Sequence, residues 1–121
     1  MQVSALEASL SRLLDIPGVT GAALVDGVTG LTYCAVGDAR EVGDGADAAE
    51  LASVVTDGIG QCGQAGELEC VVMTSARRHH VVQSVRQGGD PLLLVAAMDR
   101  TLTNLALGVR QLTEHAVRVL A

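Results

Sequence analysis

The hydrophobic pattern at the start of the chain predicts a helix followed by a β-hairpin. Four leucines recur at the spacing of one helical face: Leu6, Leu10, Leu13 and Leu14. Ser4 and Glu7 have the spacing of a capping box, and Ile16-Pro17-Gly18 ends the pattern, so the helix is predicted over about residues 5–15. Two β-type runs follow, Val19–Asp26 and Leu31–Val36. The glycines between them are typical of a hairpin turn.

The middle of the chain predicts a loop and then a second helix. Residues 37–46 are rich in Gly and Asp, which favours a loop. Asp47 is predicted to begin the helix, with Glu50 in capping-box position. One face of this helix carries the apolar positions Ala48, Leu51, Ala52, Val55, Ile59 and Cys62, while Val54 lies off that face. The glycines at 63 and 66 end the element.

The last part of the chain predicts three strands and a final helix. The strands are Leu68–Thr74, His79–Arg86 and Pro91–Met98, with a Gln-Gly-Gly-Asp turn at 87–90. Since Leu92–Met98 is apolar on both sides, it is expected at the centre of the sheet. From Thr101 the apolar residues return to helical spacing through Val119, with Asp99 as the expected cap.

Together these patterns predict an α+β fold with the element order α-β-β-α-β-β-β-α. The sheet is expected to be five-stranded and mostly antiparallel, with helices on both faces. The length of 121 residues indicates a single domain spanning 1–121.

Composition excludes several classes of protein. The chain has no lysine, which P-loop NTPases and Schiff-base enzymes require. Tyr33 is its only aromatic residue and its net charge is −6, so it has neither the rings nor the positive charge that nucleic-acid binding needs. Cys34, Cys62 and Cys70 form no Cys-x-x-Cys pair, so reduced, half-buried thiols are expected, and neither a disulfide framework nor a zinc site.

A membrane-inserted segment is not expected either. The longest apolar run, Leu92–Met98, is far shorter than the roughly 20 residues that cross a bilayer. No leader pattern of a charged and then an apolar segment opens the sequence, so a cytoplasmic location is expected.

The segment Ala-Arg-Arg-His-His-Val-Val at 76–82 holds two of the three histidines. Because consecutive strand residues point to opposite faces, His79 and His80 are expected to diverge and to share neither a metal nor a proton. The simpler interpretation is a polar hairpin end in solvent. The alternative is that Arg77 and Arg78 dock an acidic partner through their guanidinium groups. Known nucleophile and metal motifs are missing from the sequence, so no catalytic residue, metal or cofactor is expected.

Several local motifs stand out: Ile-Pro-Gly-Val before the strand Gly-x-Ala-Leu-Val-Asp, the turn at Gly30, and the closing segments Pro-Leu-Leu-Leu-Val-Ala-Ala-Met-Asp and Asn-Leu-Ala-Leu-Gly-Val-Arg-Gln-Leu. Together with the element order, these motifs resemble those of the Roadblock/dynein light chain family. Ala106 departs mildly from the glycine that the family usually carries there. Profilin-like and longin-like domains have related architectures.

The resemblance implies a bacterial, homodimeric regulator of a Ras-like small GTPase, acting as an activator or scaffold without catalytic residues of its own. In the family, the strand after the second helix pairs with its twin across a two-fold axis, and the second helices lie side by side. Carried over, the dimer interface comprises Leu51, Val54, Val55, Leu68, Cys70, Val71 and Val72. The suggested partner surface comprises Glu50, Ser53, Asp57, Gln61, Arg77 and Arg78. From the residues alone, Leu68–Thr74 would be an apolar edge strand that needs covering or pairing.

A second function remains open at this point. Domains of this size, with helices packed on a sheet, also bind small apolar ligands between helix and sheet. Against this alternative, the expected core offers few polar groups that could orient a ligand.

Overall fold

The computed structural model describes residues 3–63, 68–87 and 90–116. The helices are α1 (Val3–Ser11), α2 (Ala39–Val42), α3 (Gly45–Gln61) and α4 (Leu105–His115), with a 3₁₀ turn at Arg12–Asp15. The strands are β1 (Val19–Asp26), β2 (Thr32–Gly37), β3 (Cys70–Thr74), β4 (Arg78–Gln87) and β5 (Asp90–Asp99). None of the helices in these ranges is long and apolar enough to cross a membrane.

The five strands form one antiparallel sheet in the order β2-β1-β5-β4-β3. The apolar strand β5 lies at the centre, where Leu92–Met98 is buried throughout, as its sequence predicted. The α+β class, the antiparallel sheet and the central position of β5 are therefore confirmed. The two edges of the sheet are β2 and β3.

Helices cover both faces of the sheet, because alternate strand residues carry apolar side chains to opposite sides. On one face, leucines of α1 and Leu112 of α4 pack on strand residues such as Leu94 and Val81. On the other face, Val42 of α2 and Ala49 and Ala52 of α3 pack on a second set of strand residues. The small side chains of α3 allow this helix to lie close to the sheet.

The predicted loop at 37–46 instead contains α2 and the beginning of α3. Asp38 caps α2 by accepting a hydrogen bond from the amide of Arg40. Asp44 caps α3 in the same way through the amide of Ala46, so α3 begins at Gly45 and not at Asp47. Aspartates in a Gly-rich stretch favour helix caps as well as turns, and here they act as caps.

The last helix also begins later than predicted. Asn104 is its N-cap and accepts from the amide of Leu107. The carboxylate of Asp99 instead accepts from the amide and the hydroxyl of Thr101, which forms a turn before the helix. Three other predictions lie outside the described residues or side chains: the capping box at Ser4, the turn at 88–89 and the helical position of Val119.

Candidate interaction surface

Strand β3 is an apolar edge of the sheet, as the sequence predicted. Among the residues that the structure describes, it pairs only with β4, in a register that places Val71 opposite Val82 and Met73 opposite His80. Val72 is 38% exposed and Met73 is 42% exposed, so apolar surface accompanies the unpaired backbone of this edge. An apolar edge of this kind favours pairing with another strand.

The seven residues predicted for the dimer interface all keep accessible surface. Val54 is 62% exposed and Val72 is also exposed. Leu51, Val55, Leu68, Cys70 and Val71 are half-buried. The structure thus places the apolar flank of α3 and the edge strand on one side of the molecule, where both are accessible to solvent.

The four residues predicted on α3 for partner binding follow one another along one exposed side of the helix. Glu50, Ser53, Asp57 and Gln61 are all exposed and are spaced by three or four residues. Asp47 is also exposed, near the start of the same helix. Because α3 contains no basic residue, its outer surface is negatively charged.

An open groove beside α3 was missed by the sequence analysis. Its volume is about 300 Å³, and its walls include Leu51 and Asp47 of α3, Met73 of β3, and His80 and Val82 of β4. The groove exists because α3 packs mainly over β1 and β5, which leaves the face of β3 and β4 uncovered on this side. Val71 is half-buried while Val72 and Met73 are exposed, and this difference depends on where α3 crosses the sheet. The sequence pattern does not indicate that position.

The two arginines at the β3–β4 hairpin differ in their surroundings. Arg77 is exposed at the tip. Arg78 is half-buried and forms an ion pair with Glu41, with 3.3 Å between Nη2 and Oε1. Only Arg77 of this pair is thus readily available to a partner.

The two histidines diverge as predicted. The hairpin tip at Ala76 and Arg77 is exposed as expected, but the expectation of a solvent-exposed position is wrong for His79 and His80. His79 is only 7% exposed, and its Nδ1 lies 2.8 Å from the hydroxyl of Thr74 on the neighbouring strand. His80 is half-buried on the opposite face and donates from Nε2 to the carbonyl of Glu41 over 2.7 Å. Both rings therefore fasten β4 to neighbouring elements.

The three cysteines are free thiols with different exposure. Cys34 is buried, Cys70 is half-buried and Cys62 is exposed, so the expectation of half-buried thiols holds for Cys70 alone. Burial raises the pKa of the Cys70 thiol, and the charge of Glu69 raises it further. Burial likewise raises the pKa of Cys34, with a smaller effect from Glu7. Among the described residues, no group of three or more His, Cys, Asp or Glu side chains is arranged to hold a metal ion.

This architecture is the Roadblock/LC7 fold, and it agrees with the resemblance seen in the sequence. A Roadblock/LC7 domain from Streptomyces avermitilis superposes with a TM-score of 0.71 at 23% identity, over 85% of each chain. MglB from Myxococcus xanthus gives a TM-score of 0.79 at 14% identity, over 98% of this chain and 90% of MglB. MglC from Myxococcus xanthus gives 0.61 at 17% identity, over 95% of this chain and 96% of MglC. No protein-family model and no curated protein sequence matches the chain.

Proposed function

We propose that residues 1–121 form a single Roadblock-like domain that acts as a cytoplasmic, homodimeric interaction module. In this proposal the dimer binds and regulates a Ras-like small GTPase in a bacterial signalling system and contributes no catalytic residue. The observation that carries the proposal is the unpaired apolar edge of β3 next to the exposed flank of α3, within a Roadblock/LC7 fold.

The free edge of β3 supports the homodimer, because this edge can pair with the same strand of a second copy. It would join two five-stranded sheets into one and satisfy the outward backbone groups of both edges. It would also remove the apolar surface of Val72 and Met73 from water. A symmetric interface of this kind uses the same patch on both copies, so the apolar strand β3 forms both halves of the interface.

The groove beside α3 fits the same arrangement. A second copy bound along β3 would bring its own α3 towards the uncovered face of β3 and β4. Val54 and Val55 are exposed or half-buried along the flank of α3, and they could pack against Leu51 and Met73 in such a dimer. The two α3 helices would then form one continuous platform.

The outer side of α3 is the surface that we assign to the GTPase. Glu50, Ser53, Asp57 and Gln61 are exposed there, and they would be doubled in the dimer. Arg77 lies at the end of the same edge, and Arg78, which is already paired with Glu41, would contribute less to the proposed partner surface. Regulation would result from reshaping the switch loops of the GTPase, as the resemblance to bacterial Roadblock proteins implies.

The experiment combines binding and turnover. Ras-like GTPases from the same genome are loaded with GDP or a GTP analogue and titrated with the protein by calorimetry, and phosphate release is measured with GTP. We expect one GTPase to bind and its turnover to change. Glu50→Arg combined with Asp57→Arg should weaken binding by roughly tenfold or more, because reversed charges oppose the partner at the interface.

The matched control is Glu7→Arg, which reverses an exposed charge on α1, on the opposite face of the sheet. This variant should bind as the unmodified protein does. If no Ras-like GTPase responds in either binding or turnover, the regulator proposal is wrong.

The alternative function, a sensor for a small apolar ligand, has weaker support. The cavity between the sheet and helices α2 and α3 measures about 170 Å³ and is lined by small apolar residues such as Ala23, Ala48 and Val95. Ligand pockets usually measure about 300–1,000 Å³ and carry polar groups that orient the ligand. A small molecule that co-purifies and appears in native mass spectrometry would revive this alternative.

A further inference from the structure

The hydrogen bonds at both ends of β3 show which of its backbone groups face the free edge. The amide of Ser84 donates to the carbonyl of Glu69 over 2.8 Å, and the amide of Ser75 donates to the carbonyl of Arg78 over 2.9 Å. The backbone groups of Glu69 and Ser75 therefore point towards β4. Since bonding direction alternates along an antiparallel strand, the amides and carbonyls of Cys70, Val72 and Thr74 point outward.

Opposite charges stand at the two ends of this edge. Glu69 immediately precedes β3, and Arg77 lies at the tip of the hairpin that follows it. Both residues are exposed, and within the described part of the chain neither side chain forms an ion pair, whereas Arg78 is held by Glu41. The segment between them, 70–76, carries no charged residue.

We propose that Glu69 of one copy pairs with Arg77 of the second copy, and that this charge pair, formed twice, sets the register of the dimer with the two-fold axis beside Met73. The inference rests on the homodimer proposed above, adds the residues that determine its geometry, and assigns Arg77 to the dimer interface instead of the GTPase surface. Met73 lies midway between Glu69 and Arg77 in the sequence, so an antiparallel pairing centred on Met73 brings each glutamate close to the hairpin turn of the second copy, where the long side chain of Arg77 can reach it. A parallel pairing would place like charges together, which is unfavourable.

This register is compatible with the free backbone groups. When Met73 lies opposite its own copy, Val72 lies opposite Thr74 of the second copy, and both residues point their amides and carbonyls outward. The Met73 pair is then a non-hydrogen-bonded pair, in which the side chains approach most closely. Val71 and Met73 already belong to the α3 side of the sheet, so the paired methionines would lie beneath the joined helices.

The first test is a charge swap on the full chain, read by sedimentation equilibrium at low salt. Glu69→Arg and Arg77→Glu should each weaken the dimer by roughly tenfold, because each creates two like-charge contacts per dimer. The double variant Glu69→Arg/Arg77→Glu should restore the dissociation constant to within about threefold, since both pairs re-form with reversed polarity. Added salt should reduce all of these differences.

The second test measures the register by disulfide cross-linking. In a background with Cys62→Ser and Cys70→Ala, single cysteines replace Val71, Val72 or Met73. Opposed residues in a non-hydrogen-bonded pair have Cα atoms about 4.5 Å apart, within the range that a disulfide spans. Met73→Cys should therefore cross-link fastest. Because this test does not use the charge-swap variants, it still measures the register if one of those variants folds poorly.

The outcomes separate this inference from the proposed function. A dimer that the double swap does not restore, or one that cross-links faster through position 71 or 72, overturns the register while leaving the homodimer intact. The controls Glu7→Arg and Arg12→Glu reverse exposed charges on the α1 side and should leave the dimer unchanged. An unmodified protein that is monomeric at micromolar concentration overturns both the register and the homodimer.

Discussion

The imidazole of His80 donates a hydrogen bond from Nε2 to the backbone carbonyl of Glu41, across 2.7 Å. This contact joins β4 to α2, two elements that are distant in the sequence. The side chain of Glu41 also pairs with Arg78, so two residues of β4, Arg78 and His80, hold the short helix α2 against the sheet. In the Arg-Arg-His-His segment at 77–80, Arg78 and His80 thus stabilise the packing of α2 on the sheet.

Replacing His80 with leucine should destabilise the fold. The carbonyl of Glu41 would lose its donor in a half-buried place, and an unsatisfied group of this kind costs about 1–3 kcal/mol. Urea unfolding should show this loss in the free energy of unfolding. Arg40→Leu changes an exposed side chain on the same helix and should stay within about 0.5 kcal/mol of the unmodified protein. An unchanged midpoint for His80→Leu would contradict the role of this bond.

The parts of the fold that could be predicted from sequence are those with strong periodicity. The leucine stripe of α1 follows directly from burial on one face. The apolar run of β1 agrees with a strand that is buried along most of its length. The continuous apolar run at 92–98 indicated the central strand, since a strand with neighbours and helices on all sides has no polar face. The edge position of β3 followed from the family resemblance, and its apolar sequence indicated that this edge needs covering or pairing.

The remainder depended on where helices cross the sheet and on local capping, which periodicity does not encode. The burial of His79 follows from its pairing with Thr74 and from its side of β4, and the sequence indicated only that the two rings diverge. Asp44 and Asn104 replaced the predicted caps because several Asp, Asn and Thr residues near each helix start were equally suitable. The groove beside α3 required the position of the helix itself.

Gly30 should not tolerate alanine. Its φ is +77°, and a Cβ there would lie 2.6 Å from the Cα of Ala46, at the start of α3. Backbone strain and a clash with a backbone atom together should lower the free energy of unfolding by about 2–4 kcal/mol. The contrasting variant is Gly60→Ala in α3, where a Cβ would meet no atom within 4 Å. It should stabilise the protein by about 0.5–1 kcal/mol in the same thermal or urea unfolding measurement.

A lysine at Val71 or Val72 should break the proposed dimer. The charge would enter the paired edge without a partner, and burying an unpaired charge costs several kcal/mol. Light scattering should show monomers, or the variant should be insoluble. Val28→Lys is the matched control, because Val28 is 75% exposed in the turn between β1 and β2. If Ala35→Lys on the opposite edge strand disrupts the dimer and Val72→Lys does not, the interface lies at β2.

The cysteines should react with iodoacetamide in the order Cys62, Cys70, Cys34. Cys62 is exposed, whereas burial raises the pKa of Cys70 and of Cys34 and so lowers their thiolate fraction at neutral pH. Peptide mass spectrometry after timed quenching measures each rate. Dilution below the dissociation constant of the proposed dimer should accelerate Cys70 alone, since it lies on the self-pairing edge. Equal rates at Cys62 and Cys70 would contradict the exposure that the structure gives.

Acid should weaken the β1–β2 hairpin through Asp26. Its carboxylate accepts hydrogen bonds from the amides of Val28 and Thr29 over 2.8 and 2.9 Å, and from the hydroxyl of Tyr33 over 2.9 Å. The amide bonds, first that of Thr29, lower the pKa of Asp26 below its usual 3.8. A depressed folded-state pKa stabilises the protein fully above the unfolded-state value, and this stabilisation is lost as the pH falls through the folded-state value. Asp26→Asn should therefore flatten the acid side of the stability curve below about pH 4. Urea unfolding at a series of pH values measures this effect. If the free energy of unfolding falls equally steeply with acid in both proteins, the role of Asp26 is contradicted.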